Sequence, residues 1–174
     1  MSFKFKDAFD VTSAALAAAP DTATATFSAT SQLGDGVNSR GTVRQFAVDV
    51  DEPESLGGRD TAPNPVEYIL TALGSCQEIT YRLYADALGI PVDGVSVKLT
   101  GNIDLRGFFN VDPNVRPGYQ EIVAEVTIDS PASEQELIRL KEIVDSHCPV
   151  LDILTNPTPV HTKLHLAKGI EAAA

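Results

Sequence analysis

One long helical segment limits what this chain can fold into more than any other feature. Residues 64–89, NPVEYILTALGSCQEITYRLYADALG, start with Asn64 and Pro65, and Glu67 stands at the capping-box spacing from Asn64, which predicts a helix start. Gly89 supplies a stop signal. Spacings of three and four predict one apolar stripe, which comprises Ile69, Ala72, Leu73, Cys76, Ile79, Leu83 and Ala87. Cys76 is therefore expected to face the core or an interface.

The segments around this helix predict strands and a second helix. Alternation, turn residues and capping signals predict helix 2–19, strands 22–32 and 40–50, strand 92–105, an exposed loop 106–118, strand 119–128, a helix capped by Ser133 that ends near 146–149, and strand 160–167. The two early strands are expected to form a hairpin. Strands that follow one another as hairpins indicate a mainly antiparallel sheet, and hence a single domain of the α+β class.

Composition narrows the function classes. The 174 residues are 43% hydrophobic, enough for a proper core, and the net charge is −11. Such an acidic balance argues against a nucleic-acid partner, because a binder must neutralise phosphates. No apolar run approaches the ~20 residues of a membrane span, and the N-terminus does not resemble a signal peptide. Two cysteines without a CxxC motif fit a reducing compartment, so we expect a cytoplasmic protein.

The two cysteines, Cys76 and Cys148, are the residues with the greatest chemical potential. A thiolate can act as a nucleophile, and a sulfenic acid formed on one cysteine condenses with a neighbouring thiol. Free cysteines also pack as small apolar groups in protein cores. Spacing alone leaves both interpretations open.

Three segments together resemble the OsmC/Ohr family of thiol-dependent peroxidases: DEPESLGG, PNPVEYILTALGSC and SHCPV. The resemblance covers roughly residues 41–167, so we assign an OsmC-like domain to 41–174. Residues 1–40 form an N-terminal extension with a less typical first strand. The resemblance implies an intertwined homodimer, in which antiparallel sheets wrap around two central cysteine-bearing helices.

The same resemblance implies a reaction. Cys76 would attack a hydroperoxide, and Cys148 would resolve the product to a disulfide. The apolar stripe around Cys76 favours an organic hydroperoxide as the substrate. An external dithiol, of lipoyl type in part of the family, would reduce that disulfide, so no cofactor or metal is expected. His161 and His165 share one face of the last predicted strand, but no third metal ligand accompanies them. The biological role would be defence against oxidative stress.

The family also uses an arginine and a glutamate to polarise the site, and here the match departs from the pattern. The position after the Asn-Pro pair is Val66, and Glu67 comes one residue later. Nine residues and about 13 Å of helical rise separate Glu67 from Cys76, so Glu67 either caps the helix or acts across a dimer interface. Arg40 and Arg44 both lie in the second predicted strand, so either could supply the arginine or the role is vacant; Arg40 is the preferred candidate because it is nearer the glycine turn at 34–36.

This departure keeps a rival hypothesis open. A non-catalytic binding or stress protein on the same fold would hold a small apolar molecule beside Cys76 without turnover. Peroxidase chemistry requires the two cysteines to be neighbours. The acidic residues Asp51, Glu52 and Glu54 are interpreted as a solvated loop, and His147 as a helix-end residue that favours the helix dipole.

Overall fold

The computed structural model describes residues 3–166 and confirms the α+β class. Its helices are α1 (Lys6–Ala18), α2 (Pro65–Leu88), α3 (Leu105–Phe108), α4 (Glu134–His147) and α5 (Pro149–Thr155). Its strands are β1 (Thr30–Leu33), β2 (Ser39–Val43), β3 (Phe46–Val50), β4 (Gly94–Ile103) and β5 (Tyr119–Asp129). Short 3-10 turns lie at Pro20–Thr22 and Glu54–Leu56. Across this described range, no helix is long and apolar enough to cross a membrane.

The strands form two separate antiparallel sheets. The first has the order β1-β2-β3 and the second pairs β4 with β5. In the second sheet Val97 lies opposite Val126 and Leu99 opposite Ala124. Alternate residues of β4 are half-buried, because one face of this sheet packs on α2. The antiparallel arrangement predicted from the sequence is confirmed.

The long helix α2 begins and ends where its sequence predicts. The Asn64 side chain accepts a hydrogen bond from the Glu67 N–H (2.9 Å), and the Glu67 carboxylate accepts one from the Asn64 N–H (2.8 Å). This reciprocal pair is a complete capping box. Gly89 ends the helix in the left-handed region at φ 68°, which glycine adopts without steric cost.

The core lies between α2, α4 and the β4-β5 sheet. Its fully buried apolar residues are Leu73, Tyr81, Ala85, Ile90, Val92, Leu140, Val144 and Cys148. The predicted stripe of α2 is therefore wrong in part: Ile69 is 40% exposed and Ile79 is 61% exposed. The buried face instead runs through Leu73, Gln77 and Tyr81, because β4 and α4 contact the helix from that side.

The strands before α2 differ from the prediction. The strand predicted over 22–32 is reduced to β1, and residues 23–29 are exposed without regular structure. The strand predicted over 40–50 is two strands, β2 and β3, joined by a two-residue turn at Arg44 and Gln45. Arg44 adopts φ 55°, although neither residue belongs to the turn formers that usually mark such a position.

The chain after α4 also departs from the prediction. Pro149 does end α4, but it also starts a further helix, α5, which was not predicted from the sequence. Residues 160–166 contain no strand and are exposed, whereas Ala167, the last residue of that predicted strand, lies outside the described residues. A strand needs a neighbour to accept its backbone hydrogen bonds, and no strand in the described part of the chain pairs with this segment.

Candidate active site

The two cysteines are neighbours in the folded chain. Cys76 lies at the middle of α2 and is half-buried, whereas Cys148 is 1% exposed. Cys76 lies close enough to Cys148 to raise the pKa of its thiol. Two cysteines 72 positions apart in sequence are thus brought together by the packing of α4 and α5 on α2.

Cys148 occupies the junction between two helices. Its N–H donates to the Val144 carbonyl at the end of α4 (2.9 Å), and its carbonyl accepts from the Asp152 N–H in the first turn of α5 (3.0 Å). Its backbone is extended, with φ −76° and ψ 112°, as expected for a residue before proline. Pro149 suits the first position of α5 because its missing N–H would have no partner there.

The surroundings of Cys148 favour the protonated thiol. Burial raises the pKa of Cys148 above its usual range, and the hydrogen bond and charge of Cys76 raise it further. The N–H groups of Leu151 and Val150 act in the opposite direction and lower that pKa. A buried protonated thiol beside a more accessible one is an arrangement in which the accessible sulfur meets an oxidant first.

An apolar groove of about 460 Å³ lies near the cysteines but is lined by neither of them. It lies between the first half of α2, strand β5 and α5, and is lined by Val66, Ile69, Leu73, Arg116, Gly118, Tyr119, Gln120, Glu121, Ile122, Ala124, Leu151, Leu154 and Thr155. Leu73 stands one turn before Cys76, and Leu151 lies three residues after Cys148. The far end is fixed by Tyr119, whose hydroxyl donates to the Val66 carbonyl (2.9 Å). A groove of this size accommodates a small organic molecule.

Glu67, one of the predicted site residues, lies at the start of α2 and takes part in the capping box. Its carboxylate also raises the pKa of Tyr119, after burial, which is the larger cause. Nine helical positions separate it from Cys76, as the sequence indicated. The interpretation of Glu67 as a capping residue is therefore realised in the structure, and any contact with a reacting thiol would need a second subunit.

Arg40, the predicted polarising arginine, lies on β2 and faces Asp49 across the sheet. Its guanidinium is 3.5 Å from the Asp49 carboxylate, and both side chains are exposed. The sheet meets α2 near the start of the helix, where the Tyr68 hydroxyl donates to the Asp49 carbonyl (2.6 Å). Among residues 3–166, neither Arg40 nor Glu67 makes a hydrogen bond or ion pair with Cys76.

Arg116 is a groove residue that was not among the predicted site residues. It lies in the turn before β5, at the end of the groove away from the cysteines. The only sequence signal was its place in the Arg-Pro-Gly turn, which is common in surface loops. Within the described chain, Arg116 makes no ion pair.

The loop between β3 and α2 is organised by a buried carboxylate, so its interpretation as a fully solvated acidic loop was wrong for Asp51. Asp51 is 1% exposed. It accepts hydrogen bonds from the Thr61 hydroxyl (2.7 Å) and from the N–H groups of Glu52 (2.9 Å), Arg59 (3.2 Å) and Thr61 (3.2 Å). The Thr61 hydroxyl is the main cause of a lowered Asp51 pKa, assisted by these N–H groups. Asp51 thus fixes the path of the chain into α2.

His147 is the last residue of α4, as its interpretation as a helix-end residue required. Its Nδ1 lies 2.8 Å from the Ile143 carbonyl, which can only accept, so Nδ1 carries the proton. The sequence predicts no metal site, because no third ligand accompanies His161 and His165. Over residues 3–166, no group of three histidine, cysteine or acidic side chains is placed to hold a metal ion.

Comparison with known proteins gives a family match. The model of the family described as OsmC-like protein matches residues 58–163, a range that contains α2 and both cysteines. No curated protein matches the sequence. The match starts after the first sheet, and β2 runs across the division between residues 40 and 41, so the proposed domain boundary there stays a prediction.

Several solved structures share the fold. An OsmC-like protein from Mycoplasma pneumoniae is 23% identical, with a TM-score of 0.66 over 76% of this chain and 89% of that one. An organic hydroperoxide resistance protein from Legionella pneumophila is 19% identical, with a TM-score of 0.59 over 76% and 91%. Another from Elizabethkingia anophelis is 18% identical, with a TM-score of 0.61 over 78% and 92%. At these identities the likeness shows the fold.

Proposed function

Because the chain belongs to the OsmC-like protein family, as its motifs predicted, we propose that it is a thiol-dependent peroxidase that reduces organic hydroperoxides. The observation that carries the proposal is the pair of adjacent thiols with unequal exposure. Two fold relatives are named organic hydroperoxide resistance proteins, which supports the same class of activity.

The proposed reaction has three balanced steps. The Cys76 thiolate attacks the terminal oxygen of ROOH, the O–O bond breaks, and ROH leaves after it takes a proton, so Cys76 becomes a sulfenic acid. The Cys148 thiol then attacks the Cys76 sulfur, which gives the Cys76–Cys148 disulfide and water. An external dithiol, proposed to be of lipoyl type, reduces the disulfide by exchange and becomes oxidised itself. The proposed setting is the cytoplasm, in oxidative-stress defence.

The apolar groove supports an organic substrate over hydrogen peroxide. Its lining includes the aliphatic side chains of Leu73, one turn before Cys76, and Leu151, three residues after Cys148. Burial of an alkyl or aryl group there contributes about 25 cal/mol for each Å² removed from water, a term that hydrogen peroxide lacks. We therefore expect a lower KM for cumene hydroperoxide than for hydrogen peroxide.

The polarising roles of Arg40 and Glu67 enter this proposal only through a homodimer. Within one chain both lie near the start of α2 and are engaged with Asp49 and Asn64. In the proposed dimer they act on the second subunit's thiol. The rival function, a binding protein that holds a small apolar molecule in the groove without turnover, is favoured by that same engagement.

The deciding experiment measures peroxide consumption with a dithiol reductant for wild type, Cys76→Ser and Cys148→Ser. We expect Cys76→Ser to be no faster than the uncatalysed reaction, and Cys148→Ser to consume about one equivalent and stall. Ser75→Ala, one position from Cys76 on the exposed side of α2, is the matched control and should retain turnover. Equal rates for wild type and Cys76→Ser with both peroxides would reject the peroxidase and leave the binding protein.

A further inference from the structure

The start of α1 is attached to the second half of α2 by partly buried polar contacts. The Phe5 N–H donates to the Asp86 carboxylate (2.9 Å), and the Lys6 ammonium donates to the Ala87 carbonyl (3.3 Å). Asp86 is 3% exposed, and its carboxylate also lies 3.7 Å from the Arg82 guanidinium. A buried carboxylate needs such partners, so this attachment fixes the first turn of α1 rather than letting it fray.

A row of three aromatic rings continues from this attachment towards Cys148. Phe9 of α1 meets Tyr84 of α2 edge-on with ring centroids 5.2 Å apart, and Tyr84 meets the His147 ring at 5.0 Å. His147 holds the last turn of α4 through the Ile143 carbonyl. The next residue is Cys148. The row therefore ends one residue from the buried thiol.

We propose that residues 5–9 form a strap that acts through Tyr84 and His147 to hold Cys148 against Cys76. The strap positions the buried thiol and so speeds disulfide formation, while peroxide attack on Cys76 proceeds without it. This inference rests on the proposed function. The rest of α1 does not share the role, because every residue from Asp10 to Ala18 is exposed.

The two cysteines differ in how their positions are held. Cys76 lies inside a helix of 24 residues with a complete capping box, whereas Cys148 lies at the break between α4 and α5. Closing the disulfide requires the two sulfurs to approach to about 2.05 Å with a narrow dihedral range. In this step the Cys148 thiol replaces the oxygen on Cys76, and that oxygen leaves as water. The step therefore depends on the last turn of α4, which the aromatic row supports.

The test uses the full chain and separates the two steps. Wild type, Phe9→Ala, Phe9→Tyr and Val11→Ala are each mixed with one equivalent of cumene hydroperoxide. Trapping with dimedone measures the sulfenic acid on Cys76, and mass spectrometry of alkylated peptides measures the disulfide. We expect Phe9→Ala to slow disulfide formation roughly threefold to tenfold with an unchanged rate of sulfenic acid formation. With excess peroxide this variant should accumulate more sulfinic acid on Cys76.

Two variants serve as controls. Phe9→Tyr retains the ring and should retain the wild-type rate, and Val11→Ala removes a side chain on the same helix that is 70% exposed and should behave as wild type. Equal disulfide rates in wild type and Phe9→Ala would overturn the strap. Equal slowing of both steps would also overturn it, because that result indicates general destabilisation.

Failure of the proposed function shows in wild type alone, as absence of the sulfenic acid. Diamide then supplies the oxidant: it takes two electrons and two protons from the thiol pair and yields the same disulfide. A rate of closure that is slower in Phe9→Ala than in wild type and Val11→Ala would still support the strap, and equal rates would reject it.

Discussion

Gly58 shows how one residue fixes the loop that leads into α2. A Cβ at this position would lie 1.7 Å from the Glu52 carbonyl oxygen, far inside van der Waals contact. We expect Gly58→Ala to lower the free energy of unfolding by about 3 kcal/mol or more, measured by urea denaturation. Gly94→Ala is the matched control, since its Cβ would meet only the Asp129 side chain at 3.7 Å. A loss as small as in Gly94→Ala would contradict this loop geometry.

Tyr81 gives a prediction on pH. Burial, assisted by the charge of Asp145, raises the pKa of Tyr81 to about 12 from its usual 10.0. The unfolded chain therefore releases this proton from pH 10 upward while the folded chain keeps it. The stabilisation from this group is complete below pH 10 and is lost as the pH rises through 12. Tyr81→Phe should accordingly lose less stability than wild type between pH 9 and pH 11.

At neutral pH the same substitution tests a hydrogen-bond argument. Within the described residues the buried Tyr81 hydroxyl has no hydrogen-bond partner, so its removal leaves no group unpaired. We expect Tyr81→Phe to match or exceed wild type in stability at pH 7 by urea denaturation. A loss above about 1 kcal/mol would reveal a partner for the hydroxyl.

Contacts between residues close in sequence could be predicted, whereas contacts between distant residues could not. Asn64 and Glu67 stand three positions apart, so their reciprocal hydrogen bonds follow from helix geometry. Asp51 finds its main partner, Thr61, ten positions away, and a charged residue among other acids normally indicates solvent exposure. The approach of Cys148 to Cys76 arises from tertiary packing, so it could be predicted only through the motif resemblance.

At the scale of elements, the start of α2 allows a test of whether Glu67 only caps the helix or also takes part in the proposed reaction. Gln at this position still accepts the Asn64 N–H but carries no charge. If Glu67 only caps, Glu67→Gln should keep peroxide turnover within about twofold and change stability by less than about 1 kcal/mol. Asn64→Ala, which removes the other half of the box, should cost about 1 kcal/mol with the same turnover. A large fall in turnover confined to Glu67→Gln would instead assign its carboxylate to the reaction.

Helices and strands were predictable where the sequence pattern is compatible with only one structure. The caps of α2 and α4 had one meaning, and both helices are confirmed. Pro149 had two, because proline both ends a preceding helix and suits the first position of the next, and α5 was missed for that reason. Alternation over residues 160–166 describes a side-chain pattern. It does not supply the neighbouring strand that a β-ladder requires.

At the scale of the whole molecule, the chain exposes more surface than a compact monomer of its mass. Its accessible surface is 13149 Å², against roughly 8,200 Å² expected for 18.5 kDa. Extended segments such as 23–29 and 160–166 contribute to the excess, and so does the β1-β2-β3 sheet, which buries no residue fully. Pairing of this sheet with a second subunit would cover part of the excess, as the proposed homodimer requires.

The apolar face of this sheet is the place to test the dimer. Phe46, Val48 and Val50 alternate along β3 with Ala47 and Asp49, so Val48 and Ala47 point to opposite faces of one strand. Val48 is half-buried and Ala47 is exposed. A carboxylate buried at position 48 in an interface would cost several kcal/mol unless paired. We therefore expect Val48→Glu to weaken self-association at least 100-fold, by roughly 3 kcal/mol or more.

Sedimentation equilibrium over a range of concentrations measures this effect. Wild type and Ala47→Glu should each have an apparent mass of twice 18.5 kDa. Val48→Glu should dissociate at concentrations where both of these proteins remain dimeric. If Arg40 acts across the interface, peroxide turnover by Val48→Glu should fall in parallel with the dimer fraction, because the second subunit's guanidinium is then lost. A wild type that sediments as a monomer at every concentration would remove the homodimer, and with it the cross-subunit role of Arg40, while the Cys76–Cys148 pair within one chain would still stand.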